Sequence, residues 1–233
     1  MYDSKSDVKV SREDLRHLHT PAARGVIHHP YSFSKFVDEV NDQLELAGLE
    51  VLTQEYATTK NSERLFGLME VAPLEGELVK ADDWKVTIGL RGSHDMSVSR
   101  GIVLGTQVMV CSNLCFHGDL TNISSKQTTN IERRMPELIK QAIQSIPAMA
   151  EKQERIFNYY KDFEIKKHYF GDAALVELYR RGAFSSSQLG RAVKEWESPS
   201  YEEHSKYGHS VWQLFNAATQ AVKPSGNNNN MAL

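Results

Sequence analysis

Cysteine is scarce in this chain: 233 residues hold two, Cys111 and Cys115. Thiols four positions apart on one expected strand and its exit are poorly placed to bridge each other. So small a number excludes a disulfide-stapled secreted scaffold, and both are read as reduced. Long apolar runs are absent too. No eighteen apolar residues stand together, and the opening MYDSKSDVKV has no apolar stretch of signal-peptide length, so the expectation is a soluble cytoplasmic protein with no membrane partner. Positive charge is in deficit, with 27 Lys and Arg against 30 Asp and Glu and a formal net charge of -3. That excludes a global field for polyanions and leaves nucleic acid only a local patch. The phosphate-loop spacing GxxxxGK[ST] does not occur, and no glycine-rich turn opens a helix.

What is present is a globular composition, 40% hydrophobic and 24% charged. Its length suits one large domain or a core with a helical appendage. Residues 1–30 are polar, carry His17, His19, His28 and His29 without a period, and read as a mobile or surface-wrapping arm. After Pro30, a Ser cap and the spacing of Phe33, Phe36, Val37, Val40, Leu44 and Ala47 predict a helix over 34–47, stopped by Gly48. The period then falls towards 2. Strands are predicted at 49–57 and 64–72, joined as a hairpin, then at 84–90 and 102–111, the last apolar on both faces. Short connections favour antiparallel neighbours, hence a four-stranded meander.

From Ile131 to Phe163 the positions Met135, Ile139, Ala142, Ile146, Met149, Ile156 and Tyr160 keep 4-3 spacing, a long helix kinked or divided near Pro147. This seam packs on the sheet of its own chain or on a second subunit. Three more helices are predicted at about 171–181, 186–197 and 205–222, and the tail KPSGNNNNMAL reads as disordered. The expected fold class is therefore α+β: an antiparallel four-stranded meander packed by an N-terminal helix and a long helix, with a helical C-terminal region. The expected organisation is an arm (1–30), an α+β core (31–163), a helical region packed on it (164–222) and a tail (223–233).

The stretch Trp84–Asp119 gathers the residues with chemistry. In GLRGSHDMSVSRG, Ser93, His94 and Asp95 form a polar turn between two strands, flanked by Arg91 and Arg100. Its backbone donors can hold an anion, or Ser93 and Asp95 can bond their own backbone. His94 and Asp95 have base-and-orienter chemistry, although sequence neighbours on a turn seldom face each other. Cys111, Cys115 and His117, with His94 as a fourth, have ligand chemistry that suits zinc, set against a buried inert Cys111 closing an apolar strand. Aromatic residues with basic neighbours, Tyr56, Phe66 and Trp84, together with Arg91, Arg100, Lys126, Arg133 and Arg134, are the pattern that holds single-stranded nucleic acid. Each aromatic can equally be core.

The combination of RGSHDMSVSRGIVLG, then VMVCSNLCF, then VWQLFNAATQAV resembles a phage- and plasmid-borne family, the domain of unknown function 932. Ser93, His94, Asp95, Cys111, Asn113, Asn216, Ala217 and Thr219 fit its pattern; Met96 departs from it, standing where the family tends to have glycine. The resemblance implies a mobile-element protein in the cytoplasm of a host cell, acting in DNA metabolism or against a host system. The order of helix, meander and long helix is analogous to single-strand annealing proteins that assemble into rings, which implies a homo-oligomer. Three functions are carried: binding of single-stranded nucleic acid during DNA replication or recombination, non-catalytic inhibition of a host protein or defence system, and metal-dependent catalysis.

Overall fold

Trp84, Val86, Ile88 and Leu90 alternate along one strand, and all four are buried. That strand, Trp84–Ser93, is the middle of the fold. The computed structural model describes residues 7–25, 27–78, 83–108, 113–115 and 122–223, without the side chains of 7, 108, 113–115 and 122. In chain order the strands are β1 (Asp7–Val10), β2 (Leu49–Thr59), β3 (Arg64–Pro73), β4 (Trp84–Ser93), β5 (Arg100–Val108), β6 (Asn113–Cys115) and β7 (Asn122–Ser125). The four long strands form the expected antiparallel meander β2-β3-β4-β5. The sheet is not four-stranded, however. Six strands lie on one path, β1 to β6, and β7 also pairs with β5. Strands of three or four residues hold at most two full periods, and β1 takes its partner from across the chain, Asp7 opposite Thr59. Local patterning cannot announce such elements.

Register places Met69, Ile88 and Leu104 side by side, with Leu65, Val71, Val86, Leu90 and Ile102 on the same face. Burial of this face drives the packing of the helices. Val51 pairs with Val71 but Thr53 with Glu70, so Leu52 is the extra residue of a β-bulge and points outward, 43% exposed.

Helix α1 (Arg12–His17) is started by a capping box between Ser11 and Asp14 and buries Leu15. Residues 7–17, read as an arm without regular structure, thus supply a strand and a helix. Helix α2 (Phe33–Leu46) is capped by Ser32 and ends before Gly48 at φ 71, and buries Phe33, Phe36, Val37, Val40 and Leu44, the face its spacing predicts. The long apolar seam divides at Ser145 into α3 (Ile131–Gln144) and α4 (Ile146–Asp162), with Pro147 in the first turn of α4, where its missing N–H costs nothing. Met135, Ile139, Ala142, Ile143, Ile146 and Ala150 join the sheet residues in one core, so the seam packs on its own chain.

The helices α5 (His168–Arg180) and α6 (Ser186–Glu197) follow, the latter with a Ser185–Gln188 capping box. The helix expected over 205–222 is two, α7 (Glu202–Ser205) and α8 (Val211–Val222), separated at Gly208, which adopts φ 66, and restarted by the Ser210 cap. Trp212 on α8 belongs to the main core, whereas Ala217 and Ala221 pack with Leu175, Phe184, Ala192 and Trp196 in a second cluster. That helix therefore fastens the C-terminal region to the core. The tail from residue 224 lies outside the described residues. Among the described residues no helix is long and apolar enough to cross a membrane.

Candidate functional site

The polar turn between β4 and β5 is held by its own side chains. Ser93 Oγ accepts from Val98 N at 3.0 Å and donates to Val98 O at 3.1 Å. Asp95 Oδ1 accepts from Ser97 N at 2.9 Å, and Oδ2 accepts from Arg64 Nε and Nη2, both at 3.1 Å. Burial alone raises the Asp95 pKa, but hydrogen bonds from Ser97, Ser93 and Arg64 outweigh it and hold the carboxyl well below the usual range. Met96, at the tip, is 61% exposed with φ 66.

His94 turns inward, away from that carboxylate. Its ring stacks on Phe33 with centroids 4.0 Å apart and 27° between planes, its backbone N donates to Glu63 O at 2.7 Å, and its buried Nδ1 has no partner among the described residues. Burial first, then the charges of Arg100, His28 and His19, lower its pKa to about 4, so the imidazole is neutral at neutral pH. With both Asp95 oxygens committed to Ser97 and Arg64, His94 and Asp95 do not form a base-and-orienter pair.

Arg100 is the largest departure from expectation. It is not at a solvated turn but fully buried, on the same face of β5 as Ile102 and Leu104. Its guanidinium lies 4.7 Å from the Phe33 ring centroid, 5.3 Å from that of Phe36 and 5.9 Å from that of Tyr31. Gly92, facing it on β4, makes room, since a Cβ there would stand 3.0 Å from Arg100 Nε. Nη2 donates to Gln127 Oε1 at 3.3 Å, while Nε and Nη1 are buried without partners among the described residues. Burial lowers its pKa to about 9, which leaves it charged at neutral pH. Arg100 cannot reach phosphate. Arg91 is corrected as well: it pairs with Gly101 inside the ladder, half-buried, rather than standing on the turn.

Gln127 ties this interior together, a role no local sequence signal announces. Its Oε1 also accepts from Tyr31 N at 2.7 Å, and its Nε2 donates to Ser93 O. Tyr31 in turn donates to Glu39; burial first, then Glu39, pushes the phenol pKa up. A second buried polar knot, also missed, joins Glu195 to Ser200 (2.8 Å from the backbone N, 2.6 Å from Oγ) and to His204 Nδ1 (3.3 Å).

Of the expected nucleic-acid contacts, three stand in solvent. Lys126 follows β7, and Arg133 and Arg134 lie in the first turn of α3, all exposed. None of the three takes part in an ion pair among the described residues. Among those residues, Arg133, Arg134, Glu137 and Leu138 line a shallow depression of about 410 Å³. The neighbouring Glu132 is taken up by Lys35 at 2.5 Å. Tyr56, Phe66 and Trp84, weighed as stacking platforms, are buried in the sheet instead.

Cys111 and His117, and the side chain of Cys115, lie outside the described residues. Within those residues no three His, Cys, Asp or Glu side chains converge as a metal site. Neither a family model nor a curated protein nor a solved structure matches the chain.

Proposed function

We propose that the protein is a mobile-element accessory protein that binds single-stranded nucleic acid during DNA replication or recombination in the cytoplasm of a host cell. The observation that carries this reading is the group Lys126, Arg133 and Arg134, three exposed cations without a carboxylate partner among the described residues, beside a depression at the start of α3. The positive end of the α3 dipole adds to the potential of the side chains. The resemblance carried by the Ser93–Asp95 turn and the Asn216–Thr219 helix supports the mobile-element context. Arg100, fully buried, has no part in it. Self-association of the protein on a strand belongs to the same reading.

Fluorescence anisotropy with a labelled single-stranded oligonucleotide, titrated at several salt concentrations, tests it. Affinity should fall steeply with salt, and replacing both Arg133 and Arg134 by Ala should reduce the log–log slope by about 1.4, from roughly 0.7 per phosphate neutralised. Absent or salt-insensitive binding rejects the reading. Light scattering with and without the oligonucleotide reports the assembly.

The net charge of -3 favours a second reading, a non-catalytic inhibitor of a host protein or defence system. A pull-down from host lysate that recovers no partner argues against it.

A further inference from the structure

The junction of α4 and α5 exposes four large rings within twelve residues. Tyr159 is 60% exposed, Phe163 48%, Tyr169 54% and Phe170 53%. The rings come in two pairs, Tyr159–Phe163 with centroids 5.6 Å apart and Tyr169–Phe170 at 4.5 Å. Between the pairs stand Lys166 and Lys167, both exposed, with the Lys167 ammonium 5.7 Å from the Tyr169 ring centroid. No ion pair among the described residues uses either lysine. Two exposed carboxylates share the stretch, Asp162 and Glu164, which flank Phe163, while Lys166 and Lys167 lie next to Tyr169 and Phe170; Asp172 faces His168 at 3.5 Å.

This ledge is built on fixed backbone. Ile165 N donates to His209 O at 2.6 Å and Val211 N to Phe163 O at 3.0 Å, so the connection runs along the start of α8. Gly171 lies directly against Trp196, which sets the first turn of α5. Apolar rings held out of the core by such a frame mark a contact surface.

We propose that Tyr169 and Phe170, with Lys166 and Lys167, form a stacking platform for the bases of single-stranded nucleic acid. Every base offers a π-face to a ring, and ammonium groups beside the rings meet the phosphates. The charge next to these two rings is positive, two successive lysines that no ion pair among the described residues uses, and it complements the phosphates of a strand whose bases stack on the rings. The inference rests on the nucleic-acid reading above but concerns a different surface, separate in sequence from Lys126, Arg133 and Arg134.

The test compares a short oligothymidylate with an abasic strand of equal length, which keeps the phosphates and lacks the bases. The whole protein should bind the thymidylate roughly tenfold or more tightly than the abasic strand. In Tyr169→Ala/Phe170→Ala that preference should collapse towards one while the salt slope stays unchanged. Tyr169→Leu/Phe170→Leu, which keeps apolar bulk and removes the π-faces, should do the same and guards against loss of fold. If the protein binds neither strand, the nucleic-acid reading fails and this inference with it. If it binds both equally, or if the ring variants keep the full preference, the platform is rejected while the basic group of α3 stands. A ring variant that changes only the mass in light scattering makes the ledge a self-contact and overturns the proposal.

Discussion

Lys161, in the last turn of α4, donates to both carboxylate oxygens of Asp83, at 2.8 and 3.0 Å, just ahead of β4. The pair is closed off from water, with side-chain exposures of 7% and 12%, and the Tyr207 hydroxyl donates to the same carboxylate at 3.2 Å. The Trp212 ring lies 5.1 Å from the ammonium. Asp83→Ala should destabilise the fold by about 3 kcal/mol, since it strands a buried cation. Replacing both partners, Lys161→Met with Asp83→Leu, should cost less than the single change. Urea denaturation of the three variants checks the order, and a single variant as stable as the parent contradicts the pairing.

Gly171 cannot carry a side chain. A Cβ there would stand 2.3 Å from Trp196 Cε2, so Gly171→Ala must push α5 away from α6. The expected loss is about 2 to 3 kcal/mol, with the Trp196 fluorescence shifting to the red as the ring meets water. By contrast, Gly190→Ala meets nothing within 4 Å in the middle of α6. It should stabilise by roughly 0.5 to 1 kcal/mol, since alanine holds a helix better than glycine.

His94 makes stability depend on pH. Its folded-state pKa of about 4 lies below its ordinary 6.5, so as pH falls the unfolded chain takes up this proton first. The stabilisation is complete above pH 6.5 and is lost between there and pH 4, by up to about 3 kcal/mol. His28 and His204, also lowered by burial, act in the same direction. Melting temperatures measured across this window should fall, and His94→Phe, which keeps the ring against Phe33, should make the fall shallower. An unchanged slope in that variant places the titration elsewhere.

Met96 holds a left-handed backbone in the open. Such a conformation costs an L residue roughly 1 to 2 kcal/mol, offset in part by the freedom glycine regains in the unfolded chain. Met96→Gly should therefore raise stability modestly, by about 0.5 to 1 kcal/mol, and Met96→Val should lower it. Differential scanning calorimetry with the two variants in the opposite order would falsify this account of the turn.

The four long strands and α2 were legible because each carries its apolar pattern over many residues, and α2 and β3 also stop at Gly48 and Pro73. The edge strands were not, for want of length. Arg100 is the instructive case. Its parity with Ile102 and Leu104 was already in the sequence, but its charge suggested the polar turn, and the strand in fact starts two residues earlier than its apolar pattern. The partner that fixes it could not be read: Gln127 reaches Tyr31 across 96 positions. Arg133 and Arg134 are exposed because the buried stripe of α3, Ile131, Met135 and Ile139, leaves them on the other side, and Lys126 is exposed ahead of that helix.

The two sides of the sheet are both finished with short strands. On one, β1 covers Tyr56 to Thr59 of β2; on the other, β6 and β7 divide β5 between them. β1 leaves residues 49–55 of β2 unpaired on their outer side among the described residues, and the bulge at Leu52 bends the backbone in the middle of that stretch. A foreign chain seeking to extend the ladder there would meet a kinked strand instead of a flat one, the kind of edge that discourages pairing between copies.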